Sequence, residues 1–280
     1  MVRDLLHYVE TKAEENGIKI FYVDTDSCFC LAKENPKDLL NQFVQQWAKE
    51  KYNKEHIDIY FDDKGKFLKL FIIALCHYKG IIETSKGIKE EIKGIEQKRR
   101  DSSKFMADFQ NKLIDMILDN KTEEECLTFI NLEKERIKTV SLIEVGFPCK
   151  LQNKEYKSIP ISVRAYEYTK EIVLTFKKVP GDSFYYIYTM PFGEAKRKSS
   201  RMKRNKETGI KELQTSETEI VKDVLCFDDE QQNHILNISW DKMIEKTIIA
   251  KVEKAFEVMK WDTSKLREPK VKKQRKVKND

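Results

Sequence analysis

The chain has 280 residues, of which 36% are charged, and a formal net charge of +6 at pH 7, so it can form one large domain or two smaller ones. No stretch approaches the roughly 18 consecutive apolar residues of a membrane-spanning helix, and the N-terminus lacks the pattern of a secretory signal peptide. The six cysteines show no paired C-x-x-C spacing, so the sequence indicates neither a zinc module nor a disulfide framework. We therefore expect a reduced, intracellular protein.

Positive charge is concentrated in two segments. Residues 196–206 contain seven basic residues and no acidic one, and residues 265–280 contain eight basic residues against two acidic ones. The rest of the chain is consequently net negative. Concentrated positive charge favours a polyanionic partner, although runs of charge alone more often form solvated loops and tails.

The first part of the chain predicts helices alternating with short strands. Helical spacing of apolar residues predicts a helix over 2–13 that ends at Asn16-Gly17. Two β-prone runs around a polar corner predict a hairpin over 18–31, with Cys28 and Cys30 on one face as small core residues. The remaining predictions are a helix from Pro36 to Trp47 and strands at 57–61 and 67–73.

The second part predicts mainly helices. The pattern indicates an amphipathic helix over 105–118, and Thr122 with Glu125 forms a capping-box signature before a helix that extends to about Lys138. A strand is predicted at 184–188, an irregular polar segment at 199–218, and a long helix with an apolar stripe over 240–260. The predicted fold class is α+β, with an antiparallel sheet and flanking helices in front and a mostly helical part behind.

The hairpin corner carries the candidate catalytic residues, Asp24 and Asp26. A hairpin tip fixes its side chains, and two fixed carboxylates can hold a hard divalent cation such as Mg²⁺ through oxygen. Such an ion indicates phosphoryl or nucleotidyl transfer. An isolated D-x-D pair also fits a solvated acidic turn, or the metal-binding motif of a nucleotide-sugar glycosyltransferase. The flanking sequence is therefore needed to distinguish these interpretations.

Three motifs together resemble family B DNA polymerases. The run from Tyr22 to Ser27 is similar to the palm signature Tyr-Gly-Asp-Thr-Asp-Ser, which that family carries on a β-hairpin. Tyr78 and Gly80 match its Lys-Lys-x-Tyr-x-Gly element, and the run from Lys93 to Asp101 matches its Lys-Gly-x-Glu-x-x-Arg-Arg-Asp stretch. The three occur in the family's order and at compatible spacing.

The resemblance implies a domain plan and a metal site. Residues 1–103 would form the C-terminal half of the palm, residues 104–263 the thumb, and residues 264–280 a basic disordered tail. Asp26 would be the main Mg²⁺ ligand of the hairpin, with Asp24 close by and less direct, and Thr25 would orient the turn. Tyr60 to Asp63, by contrast, matches an ordinary acidic position of the palm.

The resemblance also implies contacts with the primer–template duplex. The implied DNA-binding residues are Tyr78, Lys79, Lys93, Lys98, Arg99 and Arg100. Leu75-Cys76-His77 stands where the family has lysines or arginine, so Lys79 would have to compensate. Alternatives remain open: Tyr78 could be a packed residue at a strand end, and one arginine could pair with Glu96 or Asp101.

Two further family motifs do not occur in this sequence. They are the Asp-x-x-Ser-Leu-Tyr-Pro-Ser segment, which supplies another metal ligand, and the fingers motif Lys-x-x-x-Asn-Ser-x-Tyr-Gly, which grips the deoxynucleoside triphosphate. We therefore expect a palm-and-thumb portion that is inactive by itself and that works with a second polypeptide, without a membrane, wherever viral or host DNA is replicated. Abundant Lys, Asn and Ile suggest an AT-rich source such as a large DNA virus.

Two competing functions remain. A glycosyltransferase needs a nucleotide-binding half of about 100 residues ahead of its D-x-D motif, and only 21 residues precede Tyr22 here. A non-catalytic nucleic-acid-binding or assembly subunit would share the basic segments but not the dependence on Asp26 and Mg²⁺.

Overall fold

The computed structural model describes residues 2–24, 27–95, 102–152, 159–204 and 211–267, and gives only the backbone for 197–201, 203, 204 and 211–216. The chain forms two compact units, residues 1–93 and 94–280. Each combines helices with antiparallel sheet, so the predicted α+β class is confirmed. Within the described ranges, no helix is both long and apolar enough to cross a bilayer.

The first unit contains a hairpin, a three-stranded sheet and two helices. Strands β1 and β2 pair antiparallel, and β3, β4 and β5 form a meander in that order. The predicted hairpin, both helices and the strand at 67–73 are confirmed. In chain order the elements are α1 (Val2–Glu15), β1 (Lys19–Asp24), β2 (Ser27–Leu31), α2 (Lys37–Tyr52), β3 (Lys66–Ala74), β4 (His77–Thr84) and β5 (Gly87–Lys93).

The strand predicted at 57–61 is wrong, because this segment bonds to a helix instead of to a sheet. The Asn41 side chain accepts from the backbone N–H of Phe61 at 2.6 Å and donates to its carbonyl at 3.1 Å. Gln45, one helical turn later, exchanges the same pair of bonds with Ile57 at 3.0 and 3.1 Å. These amides satisfy backbone groups that would otherwise need a neighbouring strand. Asp63 ends the segment by accepting from the N–H of Gly65 at 2.9 Å.

The hairpin lies between two apolar layers because β1 contains a bulge. Ile20 pairs with Cys30 and Tyr22 pairs with Phe29, so Phe21 is an extra residue on β1. Ile20, together with Cys28 and Cys30, packs on the core formed with α1 and α2, which confirms the core interpretation of these cysteines. Burial raises the pKa of the Cys28 thiol to about 11. Tyr22 and Phe29 occupy the opposite face and contact Tyr78 of the three-stranded sheet.

The second unit contains more strand than the sequence predicted. The helices predicted at 105–118, 122–138 and 240–260 are present, the last with an internal π-helical turn at Glu245–Ile249. Thr122 and Glu125 form the predicted capping box. The elements are α3 (Lys104–Leu118), α4 (Glu123–Arg136), α5 (Leu142–Val145), β6 (Phe147–Lys150), α6 (Ile161–Ile172), β7 (Ser183–Arg204), β8 (Lys211–Phe227), α7 (Trp240–Ile244) and α8 (Ala250–Met259).

Two predicted segments of this unit differ from the structure. The polar segment at 199–218 is not irregular: its described parts, 199–204 and 211–218, belong to β7 and β8, which pair as far as Arg204 and Lys211. The basic tail predicted from residue 264 begins with ordered residues. Leu266 is fully buried, and Arg267 pairs with Glu253 of α8 at 2.6 Å.

Candidate active site

Asp24 is the last residue of β1 and the only one of the two predicted catalytic carboxylates that lies within the described residues. It pairs in the hairpin register with Ser27, whose hydroxyl donates to the Asp24 carbonyl at 3.1 Å. The Asp24 side chain is 12% exposed. A carboxylate at this level of exposure needs cationic or hydrogen-bonding partners.

Lys93, the last residue of β5, provides such a partner. Its ammonium donates to Oδ2 of Asp24, and this bond raises the pKa of Lys93. The lysine side chain is 45% exposed, so one side of the ion pair faces solvent. The contact brings the first and third polymerase-like motifs together in space, although 69 positions separate the two residues.

An aromatic cluster holds the hairpin on the three-stranded sheet beside this ion pair. Tyr22 stacks on Phe29 with ring centroids 4.7 Å apart, and Phe29 meets the edges of Tyr78 and Phe67 at 5.2 and 5.1 Å. Tyr22 and Tyr78 are each only 7% exposed. Stacked and edge-to-face pairs add directional preference to apolar burial, so this cluster fixes the position of the β1 end that carries Asp24.

The Tyr22 hydroxyl anchors the hairpin at a second point, which sequence reasoning missed. It accepts a hydrogen bond from the backbone N–H of Cys76 at 2.9 Å. Cys76 lies in the turn between β3 and β4 and has a φ of 60°. The segment Leu75-Cys76-His77, which departs from the family's basic pattern, is therefore a tight turn that supports Tyr22. The sequence signal for this anchor is Tyr22 itself, the first residue of the first motif.

The structure does not expose Tyr78 or Lys79 to solvent. The Tyr78 ring lies in the aromatic cluster, and Lys79 is fully buried, with its ammonium 3.4 Å from Glu90. Adjacent residues of a strand face opposite sides of the sheet, so the two side chains are buried on different faces. The alternative interpretation of Tyr78 as a packed residue at a strand end fits this position, and burial of Lys79 argues against a phosphate contact.

The other predicted site residues, Asp26, Lys98, Arg99 and Arg100, lie outside the described residues. Within the described ranges, no group of three or more His, Cys, Asp or Glu side chains is placed to hold a metal ion. Asp24 nevertheless has the chemistry that Mg²⁺ selects, an anionic oxygen donor. A metal site at this tip requires further ligands besides Asp24.

Comparison with known proteins identifies the family. A family model described as DNA polymerase family B matches residues 1–246. The chain belongs to DNA polymerase family B. The predicted resemblance is thereby confirmed at the family level, and the glycosyltransferase alternative loses its support.

Relatives of this family B chain include archaeal polymerases. It is 28% identical to a DNA polymerase of Archaeoglobus fulgidus over 166 residues, covering 57% of this chain and 20% of that protein. It is 27% identical over 145 residues to DNA polymerase 1 of Saccharolobus solfataricus, covering 52% of this chain and 14% of that protein. The chain therefore spans about a fifth or less of the curated relatives it matches.

A solved structure shows the same fold. The family B DNA polymerase of the hyperthermophilic archaeon Pyrobaculum calidifontis superposes with a TM-score of 0.53 at 18% identity, covering 90% of this chain and 28% of that one. At this identity the match supports the fold alone.

Proposed function

We propose that the first unit of this family B chain serves as the C-terminal half of a polymerase palm and that residues 104–263 serve as its thumb, in template-directed nucleotidyl transfer. One observation carries the proposal: Asp24 of the first motif and Lys93 of the third form an ion pair. Two sequence-distant motifs that meet at one place, in a chain whose family is polymerases, favour a shared site over two unrelated surface turns.

In this proposal Asp24 and Asp26 contribute ligands for Mg²⁺. Bound Mg²⁺ would supply charge neutralisation at the triphosphate and a lowered pKa of the primer hydroxyl. Asp24 supplies negative charge at a fixed position, because its backbone is paired with Ser27 and its strand is held by the Tyr22 cluster. Lys93 balances that charge and orients the Asp24 carboxylate through its hydrogen bond.

Duplex contacts are proposed for the cations that follow β5. Lys93 is nearly half exposed, and Lys98, Arg99 and Arg100 continue the same motif. A cation at a strand end, such as Lys93, suits a phosphate contact, which positions a duplex without reading its sequence. Lys79 is not among the proposed duplex contacts because it is fully buried. Tyr78 is proposed to position the hairpin and not to contact DNA.

The remaining catalytic parts come from outside these residues. The second metal-ligand segment and the fingers motif do not occur in these 280 residues, and we propose that a second polypeptide supplies them. The chain by itself is then expected to bind duplex DNA and to extend no primer.

Reconstituted primer extension tests this proposal. The chain is mixed with a family B fragment that carries the exonuclease domain, the first palm half and the fingers, and extension of a labelled primer is measured in MgCl₂. Asp26→Asn should abolish extension by the mixture, because it removes one negative charge from the metal site. Asp58→Asn is the matched control. It makes the same chemical change away from the hairpin, at a side chain that is fully exposed.

The same assay separates the alternatives. Extension that survives Asp26→Asn would contradict the metal role of the hairpin. Duplex binding that ignores both Asp26 and Mg²⁺, without extension in any mixture, would favour the non-catalytic binding subunit. Deletion of residues 268–280 should also flatten the salt dependence of duplex binding if the tail contacts phosphates. This deletion leaves intact the Lys265–Glu123 and Arg267–Glu253 ion pairs.

A further inference from the structure

The β7–β8 hairpin extends far beyond the sheet to which it belongs. Strand β6 pairs with β7 only from Ser183 to Tyr186. From Gly193 to Arg204, β7 pairs with Lys211–Lys222 of β8, and among the described residues no third strand joins this part. We call residues 193–204 and 211–222 the arm. At about 3.3 Å per residue, twelve residues give a ribbon up to roughly 36 Å long.

The arm rises from a rigid base. Ile187, Val224 and Phe227 at the base are fully buried, and the N–H of Cys226 donates to the hydroxyl of Thr169 on α6 at 2.9 Å. Residues 189–192 bulge from the register, and the backbone of Met190 bonds to Asn237 at 2.7 Å. The bulge and this extra bond fix the direction in which the arm leaves the domain.

The register of the arm separates its basic residues into two groups. Lys196 and Lys198 stand directly opposite Glu219 and Glu217 in the register, an arrangement of opposite charges that favours strand pairing. Arg197 and Arg201 lie opposite Thr218 and Gln214. Because strand residues alternate between faces, the two arginines belong to one face of the ribbon and the two lysines belong to the other.

The arginine face is otherwise polar and uncharged between its two arginines. Ser199 lies between them on β7 and pairs with Ser216. Acidic Glu212 belongs to this face only near the far end, opposite Lys203. A surface of arginine, serine, threonine and glutamine has the residue types that contact phosphate oxygens in protein–DNA complexes.

We propose that the arginine face of the arm is a further contact surface for the phosphate backbone of duplex DNA. The choice of DNA as partner rests on the proposed function. A two-stranded ribbon is one of the elements that a groove of B-DNA admits, and the length of the arm is close to the roughly 34 Å of one DNA turn. The positive charge of the face complements the backbone without base contacts.

A matched pair of double variants tests the inference. Arg197→Gln with Arg201→Gln removes two charges from the arginine face, and Lys196→Gln with Lys198→Gln removes two charges from neighbouring positions on the other face. Binding of the full chain to a fluorescent 24-base-pair duplex is followed by anisotropy between 50 and 200 mM NaCl. The arginine variant should lower the slope of log affinity against log salt by about two, and the lysine variant should change it far less.

The outcomes are distinguishable from a failure of the proposed function. Equal effects of the two variants, or no effect of the arginine variant on a wild-type chain that binds the duplex, overturn the arm inference alone. A wild-type chain that shows no duplex binding contradicts the proposed function as well. A loss of binding to a polyglutamate probe, with duplex binding unchanged, would assign the face to acidic protein and overturn the inference.

Discussion

Lys93 donates a hydrogen bond to the Asp24 carboxylate and so joins the end of β5 to the end of β1. The lysine supplies a positive charge at the point where the proposed function places a divalent cation. Its ammonium and a metal ion therefore compete for the same negative charge. The strength of this competition can be measured without catalysis.

The first prediction concerns replacement of Lys93 by Met. Removing the ammonium should raise the affinity of the hairpin tip for Mn²⁺ by about two- to fivefold, because a partly exposed ion pair contributes up to about 1 kcal/mol. The affinity is read from paramagnetic broadening of the backbone amides of Val23 and Ser27. Lys89→Met, on the same strand and paired with Glu91, is the control for net charge. Equal affinities for the two variants would contradict the competition.

The second prediction compares two lysines of the same sheet in duplex binding. Lys79 is fully buried, so Lys79→Met should leave the salt dependence of binding unchanged. Lys93→Met should reduce the slope of log affinity against log salt by about one, the effect of losing one phosphate contact. Anisotropy titrations in NaCl provide the measurement. A loss of slope in the Lys79 variant would restore that residue as a DNA contact.

The sequence predicted the hairpin better than it predicted which way the side chains of its strands face. Simple alternation places Ile20 and Tyr22 on one side of β1. The bulge at Phe21 sends them to opposite sides, toward the helices and toward the sheet. No residue type in this run marks the bulge, because Phe21 is an ordinary strand former.

Two other elements depend on partners that local patterns do not contain. Residues 57–61 alternate like a strand, but the amides of Asn41 and Gln45 satisfy their backbone. The arm shows the opposite case, in which strands form where the sequence pattern does not predict them. Its polar and basic composition lacks an apolar alternation, and its strands form because β7 pairs with β8. Burial of Lys79 likewise depends on Glu90 of the neighbouring strand.

The third prediction concerns Gly80, part of the second motif. A Cβ at this position would lie 2.6 Å from the carbonyl oxygen of Lys69 and 2.7 Å from the ring of Phe67. Gly80→Ala should therefore destabilise the chain by about 1–3 kcal/mol, the usual cost of overpacking. In Gly193→Ala the nearest atom lies at an ordinary 3.6 Å, so its stability should stay within about 0.5 kcal/mol of wild type. Urea unfolding measures both, and equal stabilities would show that the Phe67 ring and the β3 backbone at Lys69 both shift at little cost.

The fourth prediction concerns the pH dependence of the α4 capping box. A hydrogen bond from Lys121, followed by one from the N–H of Thr122, lowers the pKa of Glu125 from 4.5 to about 2. A carboxyl whose pKa is lower in the folded state stabilises the fold fully above the unfolded pKa and loses this effect as pH falls toward the folded value. Glu125→Gln should therefore reduce the melting temperature most at neutral pH.

The difference from wild type should shrink as pH falls from about 4.5 to about 2, the window between the two pKa values. Thermal melts followed by circular dichroism at pH 7, 4.5, 3 and 2.5 measure it. Glu124→Gln, which makes the same charge change in the same turn of α4, controls for the helix dipole and for net charge. Lys121 and Thr122 form their capping interaction with Glu125, so the full pH-dependent difference in melting temperature should appear only in the Glu125→Gln variant. A constant difference across this range would mean that Glu125 stabilises α4 by shape and not by charge.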